Sequence, residues 1–154
     1  MRIYFLLVGF LLGCDLRETH QDASAEPRSQ AVLGARYAVV GPLDAYGVRQ
    51  HAQAPVDYIT LILPPGVQGP EVGFRMPVRA GAMVTVLKVV RTNRLFDPRM
   101  TLIVALDGVV LPVAVPVRID LFRGNEGQDD LAPNPAVYRR LASAPEKRAT
   151  AVSE

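Results

Sequence analysis

The chain has no tryptophan, one cysteine, two histidines and two lysines in 154 residues. Each scarcity closes off a class of function. A single cysteine makes no internal disulfide, and domains of oxidising compartments use cysteines in pairs or not at all. Cys14 therefore needs its own explanation. Lys88 and Lys147 lie far apart, arginine is interspersed with Asp and Glu, and the net charge is +2. Nucleic-acid binding needs a clustered excess of Lys and Arg, so no nucleic-acid partner is expected. Serine occurs only at 24, 29, 143 and 153, in segments read as tails. No Gly-x-Ser-x-Gly elbow is present, which removes an activated serine nucleophile. There is no P-loop or dinucleotide fingerprint; the glycines of 66–73 are interrupted by Pro70 and open no helix. His20 and His51 have no second ligand at metal spacing, and each is read as solvated. The expectation is a protein that is not an enzyme, with no cofactor and no metal.

What is present is aliphatic. Hydrophobic residues make up 49% of the chain and aromatics 6%, with valine prominent. Valine is β-branched and favours strands. The length suits one domain.

The chain opens MRIYFLLVGFLLGC. Arg2 is followed by an apolar run of about ten residues, the length of a signal-peptide h-region and short of the roughly 20 that span a bilayer. The run ends Leu11-Leu12-Gly13-Cys14. This resembles the lipobox of bacterial lipoprotein precursors, and the resemblance covers these fourteen residues. It implies a signal peptide over 1–13, cleavage before Cys14, and a diacylglyceryl group on the Cys14 thiol, usually with acylation of the new amine. Two or more acyl chains hold a protein firmly to a membrane. The resemblance thus implies a membrane partner through lipid on Cys14 and a location in the cell envelope, facing the periplasm. Asp15 resembles the enterobacterial signal for retention in the inner membrane.

Residues 14–34 read as a flexible tether, polar and without sustained period. A β domain with a C-terminal helix is expected over 35–142, and a flexible tail over 143–154. Strands are expected over 36–40, near Val48, and over 56–63, 72–78, 82–91, 100–106 and 113–122, with turn signals between them. Alternation puts Val56, Tyr58, Thr60 and Ile62 on one face of the 56–63 strand and Ile59, Leu61 and Leu63 on the other; Val117, Ile119 and Leu121 share a face, with Arg118, Asp120 and Arg123 mostly outward. Asp107-Gly108 is a hairpin signal, with Val109 beginning the return strand. Pro112 and Pro116 mark an edge or bend. Asn134-Pro135 opens a short helix through about Ala142. The fold class is therefore mainly β, a small antiparallel barrel or a β-sandwich. The Gly-led strand of 78–90 generically resembles the middle of a Src-homology-3-like barrel.

Among carboxylates, Asp57 and Asp120 fall in strands, and Asp44 and Glu71 in loops. Asp120, between Ile119 and Leu121, is read as a surface acid near Arg118. The best partner-binding candidate is the long 92–99 connection, with Arg91, Arg94, Phe96 and Arg99, because arginine and aromatics dominate interface hot spots. The partner expected is another envelope protein. An inhibitor or immunity lipoprotein and a structural subunit of an envelope assembly are the alternatives.

Overall fold

The computed structural model describes residues 20–92, 99–122, 124–127 and 131–142. They form one nine-stranded sheet with a four-residue helix. The strands are β1 (His20–Asp22), β2 (Arg36–Val39), β3 (Leu43–Val48), β4 (Tyr58–Ile62), β5 (Val72–Val78), β6 (Met83–Thr92), β7 (Arg99–Asp107), β8 (Val117–Asp120) and β9 (Tyr138–Arg140); helix α1 is Pro27–Gln30. The hydrogen-bonded order is β5-β3-β4-β8-β7-β6-β2-β9, with β1 beside β2 on the outer edge of β6. The mainly β class stands. The strands hydrogen-bond into a single open sheet, and β4 pairs with β8 in parallel among otherwise antiparallel neighbours.

Strand alternation sorts the side chains onto two faces. Ala45, Leu61, Ile59, Val117, Ile119, Leu102, Val104 and Val86 follow one another across the sheet in register and are all nearly or fully buried. They are the core. A bulge at Leu87, between the Val86 and Lys88 pairings, changes which face β6 presents. Before it Val84 and Val86 enter the core. After it Val89 does, while Thr92 joins Arg99 on the opposite face.

Three expectations are corrected. The tether expected over 14–34 is, from His20 onward, part of the domain. β1 pairs with β6, and Ala23 and Val32 are buried in the core. Ala23 N–H donates to Val89 O at 2.9 Å, Val89 N–H donates to Ser24 Oγ at 3.0 Å, and Glu26 pairs with Arg91. The outer edge of β6 beyond the bulge needed partners, and this segment supplies them. The C-terminal helix is replaced by one turn and a strand. Asn134 does cap a turn, its Oδ1 accepting from Ala136 N–H at 2.9 Å. Tyr138–Arg140 then takes the free edge of β2, burying Val137 and Tyr138. The return strand expected from Val109 does not form. Gly108 turns the chain at φ +83°, but pairing resumes only at Val117, after Pro112 and Pro116.

Candidate functional site

The second face of the sheet is concave and polar at its floor. β4 contributes Tyr58, Thr60 and Ile62, the face opposite Ile59 and Leu61. The parallel neighbour β8 contributes Arg118 and Asp120, β7 contributes Arg99 and Thr101, and β6 contributes Thr92. The Leu63–Val67 turn, Glu71, Val72, Phe122 and Asn125 complete a cavity of about 650 Å³.

Asp120 ties the floor together. Thr101 Oγ1 donates to its Oδ1 at 2.8 Å, and Thr60 Oγ1 to its Oδ2 at 2.9 Å. Arg118 Nε lies 3.2 Å from the same Oδ2. That distance makes an ion pair, but the angle is wrong for a hydrogen bond, and Nε is left buried without one. The Arg118 guanidinium is stacked on Tyr58, with Cζ 3.3 Å from the ring centroid. Arg99 stacks on Phe122 at 4.2 Å. Guanidinium stacking fixes the plane of the fork and leaves its N–H edges to bind. Asn125 is buried; its Nδ2 donates to Leu61 O at 2.7 Å, which leaves Oδ1 as a buried acceptor with no partner among the described residues.

The roof depends on Gly66. Its φ is +76°, and a Cβ there would stand 1.8 Å from Tyr46 Oη. Tyr46 Oη instead donates to Pro65 O at 3.3 Å, pinning the Pro64-Pro65-Gly66 turn over the cavity. Burial pushes the Tyr46 phenol up from its ordinary value. Beside it, Arg75 grips Asp44 Oδ2 through Nε at 3.0 Å and Nη2 at 2.7 Å.

The residues singled out in sequence are dispersed. Cys14, Arg94 and Phe96 lie outside the described residues. Arg91 and Arg99 do not form one patch: Arg91 faces the core side of the sheet and holds Glu26 through Nη2 at 2.5 and 2.6 Å, whereas Arg99 lines the cavity. Asp120, read as a surface acid, sits in the cavity with its side chain 14% exposed. Asp57 and His51 are exposed, and Glu71 lies on the cavity rim. Tyr58, Thr60, Thr101, Arg118 and Asn125 were not picked out in sequence as site residues. The alternation of 56–63 did place Tyr58, Thr60 and Ile62 on a shared face. Nothing in the sequence brings Asp120 to that face. Among the described residues no three His, Cys, Asp or Glu side chains gather as a metal site would need. No protein-family model, curated protein or solved structure matches the chain.

Proposed function

We propose that this chain is a lipid-anchored periplasmic protein whose β domain binds another envelope protein in the Arg118–Asp120 cavity, without catalysing a reaction. The lipobox-like 11–14 segment supports the anchor. The binding role rests chiefly on the floor of the cavity. Both oxygens of Asp120 are engaged by threonine hydroxyls, and the Arg118 guanidinium is fixed on Tyr58. Such a carboxylate is braced to hold shape and is poorly placed to carry protons for a substrate. Fixed arginine and aromatic groups beside apolar walls are the makings of an interface hot spot.

A second reading, a structural subunit of an envelope assembly, draws on the sheet edges. β5 and β9 each pair on one side only among the described residues, and such edges can accept a strand from another chain.

The test uses full-length protein in its own host. Cys14→Ala should move the protein from the membrane to the soluble fraction, and intact mass should show acylation at Cys14. An unmodified full-length chain with a free thiol would remove the anchor. Arg118→Ala should weaken co-purification of the partner by roughly tenfold, about 1.4 kcal/mol. Undiminished recovery would remove the cavity from the binding role.

A further inference from the structure

We infer that the cavity takes an uncharged, extended stretch of a membrane protein, close to where that protein leaves the bilayer. This rests on the anchored-binding reading above and narrows it by two observations.

The first is what the cavity wall leaves unanswered. Arg118 Nε is a buried donor and Asn125 Oδ1 a buried acceptor, and neither has a hydrogen-bond partner among the described residues. The main-chain amides of an extended peptide carry both a donor and an acceptor and so match the two in kind. The ionisable groups of the wall balance: Arg99 and Arg118 stand against Asp120 and Glu71. A strongly charged ligand gains nothing from such a wall. Ile62, Pro65 and Val67 supply apolar surface for the side chains that flank the amide.

The second is the length of chain outside the domain. β1 begins at His20, so six Cα steps separate it from Cys14. At about 3.3–3.6 Å per residue they reach about 22 Å at most. His20 is the register partner of Thr92, which lines the cavity. Antiparallel partners lie about 5 Å apart. With Cys14 acylated, one wall of the cavity therefore stays within about 27 Å of the anchoring residue. The partner must present its segment inside that shell.

The probe is a photo-crosslinking amino acid at Val67 in the full-length lipidated protein, in its native membrane. Three further versions carry a flexible Gly/Ser insert between Glu18 and Thr19, Arg118→Lys, or Ile62→Trp. With an insert of about twenty residues the leash grows from about six to about 26, and effective concentration, falling as the −3/2 power of length, drops roughly ninefold. The adduct should fall by that factor. It should survive a rise from about 0.1 M to about 1 M salt, as the screening length contracts from about 10 to 3 Å. Mass spectrometry should place the crosslink in a stretch next to a transmembrane segment. The insert leaves the domain untouched, so its effect is not one of misfolding. An adduct unmoved by the insert but lost in Arg118→Lys and Ile62→Trp would overturn the short-range inference and keep the binding reading. Loss at high salt, or an adduct in a soluble protein, would also overturn the inference. No adduct in any version would take down the binding reading itself.

Discussion

On one face of the sheet Ile59, Leu61, Leu102, Val117 and Ile119 meet side by side, all but buried. One residue along on three of the same strands, Thr60, Thr101, Arg118 and Asp120 hold one another across the opposite face. The two groups share backbone, register and neighbours, and they differ only in parity. The core face is interchangeable in kind, since any well-fitting aliphatic set would exclude water. The polar face is not, because Thr60, Thr101 and Asp120 are each held by a particular partner at a particular distance. That contrast assigns stability to one face and, under the binding role proposed above, recognition to the other.

Mutations on the two faces can break the assignment. Leu102→Ala, in the middle of the core, should cost about 3 kcal/mol from lost burial and the cavity left behind. Asp120→Ala should cost less, about 2 kcal/mol, because it orphans Arg118 and two hydroxyls that still have access to the cavity. Denaturant unfolding measures both. A larger loss at Asp120 than at Leu102 would make the polar cluster the structural keystone and undo the division. The smallest effect sharpens the comparison within the core itself. Tyr138 is buried with no partner for its hydroxyl among the described residues, and burial drives its phenol far above the ordinary value. The folded state then keeps a proton that the unfolded state releases above about pH 10. Stability should therefore hold below that pH and fall above it, by up to about 1.4 kcal/mol per pH unit from this residue. Tyr138→Phe should flatten that part of the alkaline slope. At neutral pH it should change stability by less than about 1 kcal/mol. An unchanged alkaline slope would mean that Tyr138 ionises without unfolding.

Much of the core face was legible in sequence, and the polar face was not. Alternation over 56–63 separated Ile59 and Leu61 from Thr60 and Ile62. It likewise grouped Val117 with Ile119 and put Arg118 with Asp120 on the other side. The side was right, but its surroundings were hidden. Whether an outward residue meets water or a wall depends on strands far away in the chain. Thr60 and Asp120 are 60 positions apart. The N-terminal segment was missed for a related reason. His20-Gln21-Asp22 has no strand-like composition, and its pairing is dictated by the vacant edge of β6. At the other end the signal in Asn134-Pro135 was real but bought only one turn, because the open edge of β2 captured Tyr138–Arg140.

The parallel pairing of β4 with β8 also sets an order of events. The β6–β7 ribbon needs only neighbouring residues and can zip early, on the microsecond scale of hairpins. Joining Thr60 to Asp120 requires closing a 60-residue separation, an entropic toll of roughly 4 kcal/mol before any contact repays it. A chain synthesised from its N-terminus presents β4 long before β8 emerges. Until then the cavity lacks Arg118 and Asp120, so its floor is assembled only once both distant segments of the chain are present.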